Sequence, residues 1–177
     1  MKAVYALLIM LFALQGCVLV DLSKSAVDSS KVLVGLGPNE VEVVGIMAML
    51  GDSRHATVIE IAFAYGDAAM AVVVSSDASL WFNERQGFCQ SYANQLDVIR
   101  VELPMGYSAL LSELPDGHEG AQAIFVFVEA MGKADLTEFK TPWIILSDSA
   151  LSVLEAPPGA DSSQKPVVAS TGVIKLC

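Results

Sequence analysis

Positive charge is scarce in this chain of 177 residues: 10 Lys and Arg stand against 20 Asp and Glu, for a formal net charge of −10. Nucleic acid and anionic headgroups both reward clustered cations, so neither is expected as a partner, and the acidity reads as a solvated surface. Histidine is scarcer still. His55 and His118 are the only two; both fall in polar, turn-like stretches with no Cys or carboxylate at ligand spacing, so they read as surface residues and no metal or other cofactor is expected. A phosphate-binding loop is missing as well, because Gly35-Leu36-Gly37 runs into Pro38 without a third glycine or a receiving helix. Gly106-Tyr107-Ser108-Ala109 lacks the closing glycine of a nucleophile elbow, which leaves Ser108 as an ordinary strand-edge serine. Carboxylates are spread singly, and none pairs with another by spacing for acid–base work. Glu129, at the end of the most apolar stretch, reads as an end residue that reaches water. With no catalytic constellation in view, the expectation is a protein that is not an enzyme.

What is present begins at the first residue. Met1–Val20 carries one Lys, then an apolar run, then Leu14-Gln15-Gly16-Cys17; a basic start, an apolar segment and a small-residue cleavage site read as a secretory signal. The last four residues resemble the lipobox of bacterial lipoproteins, which implies that Cys17 takes a diacylglyceryl group and becomes the mature N-terminus. Ala3–Val20 is also close to the length of a spanning helix, so an uncleaved anchor stays open. In both cases Lys2 keeps the N-terminus cytoplasmic and sends the rest across the membrane. Val18 and Leu19 stand where inner-membrane lipoproteins carry Asp, which implies the periplasmic leaflet of the outer membrane.

Removing residues 1–16 takes one Lys and no acid, leaving 161 residues at 9 − 20 = −11, enough for one domain. Residues 17–38, rich in Ser, Lys, Asp and Gly, read as a lipidated tether, and residues 39–177 as the domain. Of three cysteines, lipidation of Cys17 leaves Cys89 and Cys177 as an even pair in an oxidising compartment. A bridge between them would contribute about 4–5 kcal/mol on the chain-entropy model. Two unpaired thiols are the alternative, since spacing alone does not bring two Cβ atoms together.

Along the domain, Glu40 to about Leu50 and Thr57 to Tyr65 read as strands joined as a hairpin through Gly51-Asp52-Ser53-Arg54-His55; Ile59, Ile61, Phe63 and Tyr65 alternate with Val58, Glu60, Ala62 and Ala64. Met70–Val74 fits either a short strand or an irregular crossover. Ser76 or Asp77 caps a helix carrying Trp81, Phe82, Phe88, Cys89, Tyr92 and Leu96 at helical spacing, with Gly87 able to split it in two. Strands follow at Ile99–Leu103, Tyr107–Leu114 and Gln122–Ala130, the last apolar on both faces and therefore expected to lie centrally. Met131–Pro142 reads as a polar connection, Trp143–Leu146 and Ser152–Glu155 as a hairpin across Ser147-Asp148-Ser149, Ala156–Lys165 as an exposed loop, and Pro166–Leu176 as a last strand. The fold class expected is mainly β: an antiparallel β-sandwich with one short inserted helix.

The order of these segments resembles the outer-membrane lipoprotein of type VI secretion systems, the TssJ-like family. Val41–Leu50, Gly51–Ala56 and Thr57–Tyr65 are similar to its first strand, loop and second strand, Leu80–Phe88 to its helical insertion, Arg100–Leu114 to the strand–turn–strand that follows, and Ala123–Ala130 to its next apolar strand. The resemblance implies a lipid-anchored β-sandwich whose first loop, here Gly51, Asp52, Ser53, Arg54 and His55, binds the periplasmic domain of an inner-membrane secretion subunit. The family's loop is longer and carries Asn-Pro-Asp and Gly-Arg-Pro-Ser-Pro stretches that this chain lacks. A different class of function, binding of a small ligand or glycan by Trp81, Phe82, Tyr92 and Trp143, requires those aromatics to converge on one pocket.

Overall fold

The computed structural model describes residues 39–49, 56–104, 106–147, 150–159 and 173–177. The chain divides between Gly37 and Pro38, and the unit that follows is a mainly β domain of two sheets and two helices. Its elements in chain order are β1 (Val44–Ala48), β2 (Thr57–Ala64), α1 (Asp67–Ser75), α2 (Ala78–Ser91), β3 (Leu96–Leu103), β4 (Ser108–Leu111), a 3-10 turn (His118–Gly120), β5 (Ala123–Val128), β6 (Gly132–Asp135), β7 (Trp143–Leu146), β8 (Leu151–Leu154) and β9 (Val173–Lys175). One sheet runs β4-β1-β7-β8 and the other β6-β5-β2-β3-β9.

The period-2 alternation of strands builds the core between the sheets. Val44, Ile46 and Ala48 of β1 and Ile144 and Leu146 of β7 meet Ile59, Ile61 and Phe63 of β2, Ile99, Val101 and Leu103 of β3, and Ile124, Val126 and Val128 of β5. This is the sandwich expected from the spacing of the strands. On the far side of the four-stranded sheet, Gly45 pairs with Trp143, and a Cβ at Gly45 would fall 2.4 Å from the Trp143 ring. Only glycine lets that indole lie across β1.

Several expectations are overturned. β1 and β2 are not a hairpin: β1 pairs with β4 and β7, whereas β2 pairs with β3 and β5 in the other sheet. Alternation tells which face of a strand is apolar, not which strand lies beside it. The sandwich is not wholly antiparallel, because β1 and β7 run parallel, a pairing that the long path from Ala48 to Trp143 permits. Met70–Val74 is neither strand nor crossover but part of α1, which buries Ala69 and Val73, one turn apart. There are thus two inserted helices instead of one. α2 passes through Gly87 unbroken, and Asp77 caps it, its carboxylate accepting from the Leu80 N–H at 2.8 Å. Leu96 belongs to β3, not to this helix. Within Met131–Pro142 stands the short edge strand β6. β5 is buried along its whole length as expected, yet the middle position in its sheet is taken by β2.

The helices supply a third layer. α1 starts beside the Ala64 end of β2, and α2 returns over the same sheet, so that Ala69, Val73 and Trp81 cover Ala62, Ala64, Leu96, Val98, Ala123, Phe125 and Phe127. Trp81 stacks on Phe127 with ring centroids 4.3 Å apart and planes 6° from parallel. Lys133 of β6 closes the join: its ammonium donates to the Val74 carbonyl at the end of α1 and lies 5.1 Å above the Phe125 ring. The negative end of a helix favours a cation there, while burial lowers the ammonium's pKa.

Strand directions give the domain two distinct ends. The chain enters at Asn39, beside Ala121 and the 3-10 turn, where Ala64 and Ala123 also lie. At the opposite end are the close of β1, the start of β2, the β3–β4 connection and the turns after β5 and β7.

Candidate functional site

The entry end is held by a compact set of polar contacts. Asn39, 7% exposed, donates from Nδ2 to the carbonyls of His118 at 2.6 Å and Ala121 at 3.0 Å, while its Oδ1 accepts from the Val41 N–H at 3.2 Å. His118 completes the set: Nε2 is 3.0 Å from the Val41 carbonyl and Nδ1 3.1 Å from that of Pro115. Its ring meets Phe63 edge-on, and Glu119 lies 3.8 Å away. His118 is therefore not a surface histidine. It fastens the first residues of the domain, although the turn-like sequence Pro115-Asp116-Gly117 gave no sign of it.

The opposite end holds the described residues on either side of the expected partner segment. Gly51, Asp52, Ser53, Arg54 and His55, expected to bind a partner, lie outside the described residues, as does Cys17, expected to carry a lipid. Their flanks are described. Met49 donates its N–H to the Leu146 carbonyl at 2.8 Å, and the Ala48 N–H to that of Tyr107 at 2.9 Å. Met49 and Tyr107 are 47% and 49% exposed. The described chain thus stops at Met49 beside one sheet and resumes beside the other before Thr57, both at the far end from Asn39, where Met49 and Tyr107 are exposed. Glu129 is exposed in the β5–β6 turn at the same end, as its position at the end of an apolar strand suggested.

The cysteine pairing appears as a disulfide: Cys89 of α2 and Cys177 are bridged, with Cα atoms 5.6 Å apart. The bridge ties the helical layer to the C-terminus over 88 residues of sequence.

Sequence reasoning missed the main polar cluster. Glu60 of β2 faces the helices, not the solvent, and is 0% exposed. Its carboxylate accepts from Trp81 Nε1 at 2.8 Å, from Arg100 Nε at 2.9 Å and Nη2 at 2.6 Å, and from Arg85 Nη1. A buried carboxylate needs such company, since an unpaired one costs several kcal/mol. Arg100 is the cross-strand neighbour of Glu60, and Arg85 lies one helical turn beyond Trp81. The spacing of Trp81 and Arg85 was visible in the sequence; the register that sets Arg100 beside Glu60 was not.

A second cluster lies near the sheet edge. The Tyr65 hydroxyl donates to Asp97 Oδ2 at 2.8 Å, and Lys175 stands 2.7 Å from Asp97 Oδ1. Burial, then the bond to Asp97 and its charge, then the charge of Glu119, push the Tyr65 phenol far above its ordinary range. It stays a neutral donor.

The aromatics proposed for a ligand pocket do not converge. Trp81 is fully buried under α2, with Phe82 and Tyr92 packed at the edge of the same layer, whereas Trp143 lies on the outer side of the other sheet over Gly45. Among the described residues no group of three His, Cys, Asp or Glu side chains could hold a metal ion, and no helix is long and apolar enough to cross a membrane. Compared with known proteins, the chain matches no family model, no curated protein and no solved structure.

Proposed function

We propose that this chain is a non-enzymatic docking lipoprotein, anchored through Cys17 to the periplasmic leaflet of the outer membrane, that holds the periplasmic domain of an inner-membrane secretion subunit. The observation that carries the reading is the polarity of the domain. The tether joins at Asn39, where a buried Asn and His118 fasten the entry, and the segment with Arg54 joins the strands at the other end. A domain held at one end presents the other to whatever lies across the periplasm, and loops on a rigid scaffold are where recognition concentrates. Arg54 supplies a cation there on a strongly acidic chain, suited to a bidentate pair with a partner carboxylate.

Two measurements test this reading. Mass spectrometry of the membrane fraction should find an acylated N-terminus at Cys17, and an intact Met1 would remove the lipid anchor. In parallel, cross-linking in cells should recover the secretion subunit with wild type and at least tenfold less with Arg54→Glu, His55→Ala, because charge reversal at a central contact costs several kcal/mol. Equal recovery by the folded variant would move the interface away from this end.

A further inference from the structure

The C-terminal strand is the least strongly built member of the five-stranded sheet, and it covers an edge that stands without it. β9 has three residues, all exposed, with Ile174 at 52%. Of the residues after it, Leu176 and Cys177 reach the core of the helical layer. Its ladder sets Val173, Ile174 and Lys175 opposite Val101, Arg100 and Ile99, and the Leu176 N–H donates to the Val98 carbonyl at 2.8 Å. The Lys175–Asp97 pair adds little, because Lys175 is 61% exposed and surface pairs are worth at most about 1 kcal/mol.

β3 is a different kind of strand. Its eight residues pair with β2 along their whole length, and its side chains enter both apolar clusters. Loss of β9 would leave β3 in place with unpaired backbone groups on its outer side, the kind of edge to which another strand adds. The fastening that does not depend on weak contacts is covalent, the bridge from Cys177 to Cys89 on α2.

We propose that the outer edge of β3 is a strand-acceptor site controlled by the Cys89–Cys177 bridge, closed by the chain's own β9 when the bridge is intact and open to the C-terminal strand of a second copy when it is reduced. The fit seen within one chain specifies the occupant: two β-branched residues along Arg100 and Val101, a Lys that reaches Asp97, and a Leu that enters the helical layer. A second copy carries the same set in the same register. Opening requires a dithiol donor. One donor thiolate attacks a bridge sulfur, the S–S bond breaks and a mixed disulfide forms, and the donor's second thiol displaces it. The donor leaves as its own disulfide, while Cys89 and Cys177 receive two electrons and two protons as free thiols. The inference is independent of the docking reading above.

The test uses the full chain with Cys17→Ser, so that the bridge is its only redox-active pair, and as probe a labelled peptide of residues 170–176, Ser-Thr-Gly-Val-Ile-Lys-Leu. Reduction by a dithiol should speed amide exchange at Ile174–Leu176 at least tenfold and leave β5 unchanged. An added Ile174→Pro change removes a ladder N–H from β9 at an exposed position. The reduced Ile174→Pro chain should bind the peptide saturably, the oxidised parent chain should not, and light scattering should detect dimers of the reduced parent chain at rising concentration. Melting curves establish that each variant is folded, and Cys89→Ser, Cys177→Ser should reproduce the reduced behaviour without reagent. Unchanged exchange on reduction overturns the proposal, as does a folded Ile174→Pro chain that ignores the peptide. Peptide capture without dimers at any concentration overturns the second copy as occupant.

Discussion

The two faces of the five-stranded sheet are buried by different means. Toward the other sheet, β2 presents Ile59, Ile61 and Phe63 to side chains of their own kind; toward the helices it presents Ala62, Ala64 and a fully buried carboxylate, Glu60. Sheet packed on sheet offers side chains at fixed positions, and alternating apolar residues fill the gap. A helical layer can bring long side chains to one point, and here it brings Trp81 and Arg85 to meet Arg100 on a single acid. The first face gains from burial alone, about 25 cal/mol per Å² of apolar surface. On the second, charge sets where α2 must sit, since a shift along the sheet would take the Trp81 and Arg85 donors from Glu60 and leave it Arg100 alone.

The sharpest way to break this contrast is to strip Glu60 of its cations. Arg85→Leu or Arg100→Leu alone leaves one guanidinium on the carboxylate, whereas the double variant leaves a buried charge with the Trp81 N–H and should cost about 3–5 kcal/mol. In urea denaturation the double variant should exceed the sum of the singles by more than about 1 kcal/mol, and additive losses would show that the carboxylate does not depend on the pair.

Two glycines sharpen the contrast by opposite signs. Gly45 lies under the Trp143 ring, so Gly45→Ala should destabilise by about 1–3 kcal/mol through overpacking. Gly87 lies on the helical layer with nothing within 4 Å of an added Cβ, so Gly87→Ala should stabilise by about 1 kcal/mol. Thermal melts of the two variants should move in opposite directions.

The smallest effect concerns pH. The phenol of Tyr65 is held neutral in the folded chain, while an unfolded tyrosine ionises near pH 10. A folded pKa above the unfolded one gives stability that is complete below about pH 10 and declines as pH rises beyond it. Denaturation midpoints should therefore fall more steeply above pH 10 for wild type than for Tyr65→Phe, and parallel curves would remove Tyr65 from the account.

Strands were legible in the sequence both as alternation, at β2, and as short apolar runs, at β5 and β7; what covers each face was less so. The alternation at Thr57–Tyr65 located β2 to within a residue, but its second face, Val58, Glu60, Ala62 and Ala64, reads as solvent-facing only if Glu60 is given more weight than two alanines. Small apolar residues on a face mark close approach by another layer, and α1 and α2 make that approach. Met70–Val74 misled for a related reason: a run ending in three valines has the composition of a strand, and only packing of Ala69 and Val73 on the sheet makes it helical. The cysteine pair was legible as arithmetic, not as geometry. The candidate site divides similarly. Arg54 and His55 stand out as side chains in a loop, whereas the part of Asn39 and His118 in fastening the entry depends on a turn that meets the chain 79 residues away.

The placement of β1 has a mechanical consequence. It lies inside its sheet, antiparallel to β4 and parallel to β7, and it is the first strand among the described residues. On the docking reading proposed above, a pull on the chain at Asn39 against the rest of the domain would run along β1. The hydrogen bonds on both of its sides would then be loaded together in shear, instead of parting one after another as a zipper does. A strand so placed resists tension best along its own axis.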